Sequence, residues 1–179
     1  MADTPRAWTT RPERTDAEGA SADAAAVRRI HLDAFPASEE ADLIDHLRAS
    51  GAWLPGLSWL AKTPQGEPVA HALLSRCHVA DHPALALAPC ATRPAHQGRG
   101  AGSAAITAAL DAARAAGEHT VVVLGHPGYY PRFGFRPCAD FGITPPPGHD
   151  WPTEAFLVLA LDTGPLPSGA VRYPPPFHL

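Results

Sequence analysis

Apolar positions recur along the chain with two periods, helical and alternating, and the turn residues between them set out the elements in order. Met1–Thr4 is expected to be loose. Trp8–Arg14 has few turn residues and reads as a first strand. Ser21 is a cap candidate for a helix carrying Ala24, Val27, Ile30, Leu32, Ala34 and Phe35, which ends before Pro36. A second helix, capped by Ser38, has Leu43, Ile44 and Leu47 as its stripe and Gly51 as its stop. Leu57–Lys62 and Val69–Val79 are apolar runs on either side of Thr63-Pro64-Gln65-Gly66-Glu67, where proline and glycine make a turn, so the three together predict a β-hairpin.

An Asp81-His82-Pro83 turn leads to Leu85–Thr92, a short apolar stretch that suits a buried strand. Ser103–Ala116 is alanine-rich with Ile106, Leu110 and Ala113 at helical spacing, and Gly117 stops it. Thr120–Leu124 is β-branched and suits an interior parallel strand. Strand, loop, helix and strand then form a βαβ crossover. Gly134–Pro137 begins another strand, Pro145–Pro152 is a loop, and Ala155–Leu161 is the last strand before a tail, Leu166–Leu179, with too many prolines for regular structure. No repeat or internal boundary appears. Residues 1–179 therefore read as a single domain with a core of about 8–162 and a proline-rich tail from 163 to 179.

Two stretches carry chemistry. In Gln97-Gly98-Arg99-Gly100-Ala101-Gly102, just before a helix, three glycines let a ligand approach the backbone, and the amides at the helix N-terminus make an anion site. The spacing departs from the dinucleotide fingerprint G-x-G-x-x-G, and no P-loop run is present. The second stretch, Gly125-His126-Pro127-Gly128-Tyr129-Tyr130-Pro131-Arg132-Phe133-Gly134-Phe135, follows a strand and contains Tyr-x-x-x-Gly-Phe from Tyr130 to Phe135.

These two motifs, in this order, resemble the GCN5-related N-acetyltransferases, and VVVLGHPGYYPRFGF with the ending EAFLVLALDTGPLPSGAVRYPPPF is similar to their bacterial YhbS-like subgroup. The resemblance is clear from about Pro68 to Phe177. It implies an α/β (α+β) fold with a mixed, mostly antiparallel twisted sheet flanked by helices. The implied activity is acetyl-CoA-dependent N-acetylation of a primary amine, by direct attack in a ternary complex. Gln97, Gly98, Arg99, Gly100, Ala101, Gly102 and Ser103 would cradle the pyrophosphate. The backbone of Cys90, Ala91 and Thr92 would bond the pantetheine arm where the strand splays from its neighbour. Pro89, which cannot donate to a sheet ladder, fits such a bulge or else starts a short strand. Tyr130 would protonate the leaving thiolate, with Tyr129 as a neighbouring substitute and packing under Gly134 and Phe135 as the plain structural use of the same ring. Arg99 would pair with phosphate, and Arg93 would either approach the ribose phosphate or be solvated. A noncatalytic acyl-CoA-binding or sensing module of the same fold is the rival reading.

Composition narrows the partners. A formal charge of −4, with 14 Lys and Arg scattered along the chain, gives no electrostatic footprint for nucleic acid. Three cysteines, Cys77, Cys90 and Cys138, have no paired spacing and indicate reduced thiols in the cytoplasm. No apolar run is long enough to span a membrane. The 21 prolines with abundant alanine suggest a high-GC bacterial gene. The expected partners are thus acetyl-CoA and an amine acceptor, with a homodimer admitted and no metal. His78-x-x-x-His82 lies on a turn rather than a helix face. No general base is assigned: the strand Leu85–Thr92 has no acidic residue, and His78, Asp81, His82 and His126 are candidates by location alone. Cys90 reads as a buried thiol rather than a nucleophile.

Overall fold

The computed structural model describes residues 8–16 and 19–179, so the Met1–Thr4 stretch lies outside the described residues. The elements in chain order are β1 (Thr9–Pro12), α1 (Ala20–Ala34), α2 (Glu39–Arg48), β2 (Ser58–Lys62), β3 (Pro68–Val79), β4 (His82–Thr92), α3 (Ala101–Ala115), β5 (Thr120–Leu124), β6 (Arg136–Pro137), β7 (Ile143–Thr144), β8 (Phe156–Ala160) and β9 (Gly169–Arg172). Within the described residues the main path of the sheet runs β1-β2-β3-β4-β5-β8-β6. Its pairs are antiparallel except β4 with β5, the two strands joined by α3 as the crossover pattern predicts. The mixed, mostly antiparallel α/β architecture expected from the sequence is therefore the one observed.

The hairpin of β3 and β4 is the spine, and its register contains one irregularity. Ala72 pairs with Cys90 and Leu74 with Leu87, so Ala88 and Pro89 together face Leu73. Pro89 thus sits in a bulge, where its missing N–H removes no ladder bond; the Ala88–Pro89 peptide is cis. Because side chains alternate along a strand, the extra residue changes which face each later side chain meets. Leu85 and Leu87 pack under α3 with Ala105, Ile106, Ala109 and Leu110. Beyond the bulge Cys90 meets that same cluster, while Ala91 faces α1 and α2 among Val27, Ile30, Ile44 and Leu47. On its other side β4 pairs with β5 only at Leu85 and Ala86, leaving Cys90–Thr92 unpaired with β5.

Caps and boundaries differ from the sequence reading in several places. Gly19, not Ser21, is the N-cap of α1, and no side chain caps it. Ser38 does stand at the N-cap of α2, but its hydroxyl donates to the Asp42 carboxylate at 2.7 Å instead of accepting a helix amide. The β3–β4 reversal occurs at Ala80 and Asp81, so His82 and Pro83 are already in β4. The tail is not wholly irregular: Gly169–Arg172, a proline-free interval, forms β9 against His78 and Val79 of β3. It continues the edge that β2 leaves at Leu73, and Tyr173 and Phe177 beyond it cover the cluster built from Val79, Ala86, Val122 and Val158.

The start of α1 is pinned to the sheet by charge. Asp23 is buried, and its carboxylate accepts from Arg11 Nη1 at 2.5 Å, from Arg14 Nη2 at 2.9 Å and from the Arg14 backbone amide at 2.8 Å. Burial pushes the Asp23 carboxyl upward, but the bonds to the two arginines outweigh it and hold the group well below the usual carboxylate range. Asp23→Asn should cost about 2–3 kcal/mol in a denaturant titration, less than a fully buried pair because both arginines are partly exposed. The stabilisation is fully present above the unfolded carboxyl value of about 4 and is lost progressively as pH falls from there through the lower folded value, so wild type and variant should converge only in strong acid.

Candidate active site

Where β4 leaves β5, a cleft of about 370 Å³ opens between the end of β4, the loop before α3 and the segment after β5. Its first wall is the glycine loop. Gly100 is the N-cap of α3 with φ at 86°, a left-handed conformation that L side chains rarely adopt. The amides of Ala101, Gly102 and Ser103 open the helix with no intrahelical carbonyl to meet, and no side chain caps them. With 15 residues behind it, α3 presents a positive dipole end to the cleft. Two bonds hold the loop: Gln97 Nε2 donates to the Thr92 carbonyl at 3.0 Å, and Trp8 Nε1 donates to the Arg99 carbonyl at 2.8 Å. A Cβ on Gly102 would lie 2.7 Å from Thr92 Oγ1, so only glycine lets the helix start this close to the strand.

The second wall is aromatic. Tyr129 and Tyr130 meet edge to face with centroids 5.1 Å apart, and Phe133 and Phe135 pack behind them. Tyr129 is tied to α3 by its hydroxyl, 3.0 Å from Ser103 Oγ, and the Arg132 guanidinium lies 4.3 Å above its ring. Tyr130 instead turns its hydroxyl to the Cys90 thiol. Burial, with Cys90 and Tyr129 adding, pushes the Tyr130 phenol well above its ordinary value, so it is a permanent hydrogen-bond donor at neutral pH. Burial likewise pushes the Cys90 thiol up to about 12, the reverse of what a nucleophilic cysteine needs.

Of the residues singled out from sequence, Cys90, Ala91, Thr92, Gln97, Gly98, Gly100, Ala101, Gly102, Ser103 and Tyr130 all line this cleft. Arg99 does not: it contributes its carbonyl to Trp8. Arg93 is neither solvated nor available to a phosphate, since its guanidinium pairs with Asp33 at 2.9 Å and with Glu67. His78 and His82 lie at the opposite end of the β3–β4 hairpin from Cys90. The sequence reading missed His71, His96, Ile106 and Arg132 as lining residues and held Tyr129 only as a substitute for Tyr130. Proximity to the two motifs could have suggested His96 and Arg132; nothing local distinguishes His71 within the apolar run of β3.

A sheet splayed at one parallel pair, with a glycine-lined helix start facing the gap, defines the class of protein. The chain belongs to the acetyltransferase (GNAT) family, whose profile matches residues 24–135. It is 41% identical over 121 residues to the N-acetyltransferase YjhQ of Escherichia coli (strain K12), a match covering 65% of this chain and 66% of that one. Among solved structures, the GNAT-family N-acetyltransferase YhbS of Escherichia coli, in complex with CoA, superposes with a TM-score of 0.81 at 25% identity, covering 100% of this chain and 96% of that one. A GNAT-family acetyltransferase from Brucella melitensis, in complex with acetyl-CoA, gives a TM-score of 0.75 at 28% identity over 96% of this chain and 99% of that one.

The position of Tyr130 depends on Gly125, where a Cβ would fall 2.2 Å from the ring. Gly125→Ala should therefore displace the tyrosine and cost about 1–3 kcal/mol by thermal melting, as overpacking does. Gly51→Ala, which meets nothing within 4 Å, serves as the neutral control.

Proposed function

We propose that a primary amine attacks acetyl-CoA directly, in one ternary complex held in this cleft. The chain is an acetyl-CoA-dependent N-acetyltransferase, the activity of its family. The observation that carries the mechanism is the meeting of three features in one cleft: the amide-lined start of α3, the unpaired end of β4, and the hydroxyl of Tyr130. The amides of Gly98, Gly100, Ala101, Gly102 and Ser103 receive the pyrophosphate, which the helix dipole favours. The backbone of Cys90, Ala91 and Thr92, free on the side where β5 has diverged, bonds the pantetheine arm in the manner of an added strand.

The thioester then lies beside Cys90 and Tyr130. The amine nitrogen bonds to the carbonyl carbon, the carbon–sulfur bond breaks, and sulfur leaves with the electron pair. Tyr130 meets the developing thiolate with its hydroxyl. Its raised pKa favours a hydrogen bond over complete proton transfer, and it withholds no donor at any physiological pH. A noncatalytic binding module would have no use for a phenol held at that point. Arg132 and His96, which also line the cleft, are within reach of the cofactor in this reading.

The three cysteines are all unpaired, which suits the reducing cytoplasm, and no helix among the described residues is long and apolar enough to cross a membrane.

Thermal unfolding with acetyl-CoA, CoA, succinyl-CoA and NAD, each tested separately, checks the ligand. The CoA thioesters should raise the melting temperature and NAD should not, and no shift with any CoA compound would sink the cofactor assignment. Gly100→Val should weaken acetyl-CoA about tenfold or more in calorimetry, because its φ of 86° is closed to a branched side chain. Tyr130→Phe should lower kcat about tenfold or more while leaving acetyl-CoA affinity close to wild type, since the hydroxyl acts only as sulfur departs. Full turnover at saturating substrate would move that role to Tyr129.

A further inference from the structure

The transfer geometry leaves one set of buried polar groups unused, and they form a line across the face of the sheet that α1 and α2 cover. Glu13 follows β1, Ser58 opens β2, His71 lies in β3 and His31 in α1, and all four are buried. Ser58 Oγ donates to Glu13 Oε2 at 2.6 Å and lies 2.8 Å from His71 Nε2. His71 Nδ1 is 2.9 Å from His31 Nε2. Arg48 of α2 closes the carboxylate end, its Nη2 2.8 Å from Glu13 Oε1.

Counting protons fixes the direction of the line. A carboxylate only accepts, so the single proton of Ser58 points at Glu13, and Ser58 must accept from His71. His71 therefore carries its proton on Nε2 and leaves Nδ1 as an acceptor. His31 fills that acceptor with its own Nε2 proton. One lone pair remains: His31 Nδ1, buried and without a partner. The line thus runs from a carboxylate to an unfilled base, and in its middle His71 forms part of the cleft wall beside Cys90, Ala91 and Tyr130.

We propose that this line is the proton acceptor of the reaction: His31 Nδ1, backed through His71 and Ser58 by Glu13, takes through a bound water the proton that the amine nitrogen loses. The inference rests on the acetyl-transfer reading above. As the carbon–nitrogen bond forms and sulfur leaves with its electron pair, one amine proton passes to the water and the water's proton to His31 Nδ1. The resulting imidazolium can shift its Nε2 proton onto His71 Nδ1, and Glu13 offsets the charge from the far end. The charged and titratable groups around the two rings are each other, Arg48 of α2, Glu13 reached through Ser58, and Cys90 of β4 and Tyr130 across the cleft wall, while Ala91, the β4 residue paired with His71, has no charge. Burial pushes His31 down to about 4, and burial, His31 and Arg48 push His71 well below its usual value. Both rings are accordingly neutral at neutral pH, and the lone pair free to accept is that of His31 Nδ1.

The test uses the full chain, with thiol release from acetyl-CoA followed from about pH 5 to 9 against a panel of primary amines and against water as the acceptor. His31→Gln and Glu13→Gln should each lower kcat about tenfold or more at neutral pH, with acetyl-CoA affinity within about twofold of wild type. Relative to the wild type, whose profile already carries the amine's own deprotonation, their log kcat should climb with pH at an added slope of about one, as hydroxide replaces the missing acceptor. A purely structural role would not change that slope. Ser58→Ala provides a third break in the line should either variant fail to fold. Nitrogen NMR of the native imidazoles gives an answer without any variant: the protons should reside on Nε2 of both rings, and an Nδ1 proton on neutral His31 would overturn the proposal. Folded variants that keep the wild-type slope remove the relay and leave the transferase standing. A wild type that binds acetyl-CoA but releases no thiol to any acceptor removes both.

Discussion

A strand offers each side chain to one face only, and β4 must serve two faces in turn. Its first half builds the core beneath α3; its second half must leave its neighbour and border a ligand cleft. The bulge at Ala88 and Pro89 reconciles these demands by inserting one residue opposite Leu73. After it, Cys90 looks to the α3 side and Ala91 to the α1 and α2 side. The wedge between β4 and β5, the place of the loop at its mouth and the tyrosines opposite all depend on that step. The loop is tied back to it through Gln97 and Thr92, and to β1 through Trp8 and Arg99.

Much of this was legible in the sequence because the governing signals are local. The stripes of Val27 and Ile30, of Ile44 and Leu47, and of Ile106 and Leu110 fixed the three helices, and Pro89 in an apolar run left a bulge or a strand start, of which the bulge is observed. Helix starts were less legible: Ala101 and Gly102 carry no periodic signal, so α3 begins before Ser103. β9 was missed because its pairing with β3 joins residues about half the chain apart and no local pattern encodes it. Arg93 was misjudged for the same reason, since its partners Asp33 and Glu67 come from α1 and the hairpin turn. The line through Glu13, His31, Ser58 and His71 joins four elements and exists only once they pack.

The polar economy of the two sides of β4 is different. On the α3 side the cleft is left with unfilled backbone donors, which makes it receptive to an anion. On the α1 and α2 side each proton of the line from Glu13 to His31 has an assigned acceptor, and that line ends in one unfilled imidazole nitrogen. His71, in the cleft wall, joins this surplus of donors to the line that ends in the vacant acceptor, and a reaction that moves an acyl group between an anionic carrier and an amine calls for both.

The cysteines bear on how the chain behaves toward electrophiles. Cys77 and Cys138 are buried, and burial pushes all three thiols up to about 12. Thiolate, not thiol, attacks a disulfide-exchange dye, so the native chain should be nearly silent to such dyes at neutral pH, Cys90 at the cleft included. Colour developed by such a dye in a reaction mixture then belongs to the small thiol released into solution, and colour developed by the chain on its own is a clock for its unfolding.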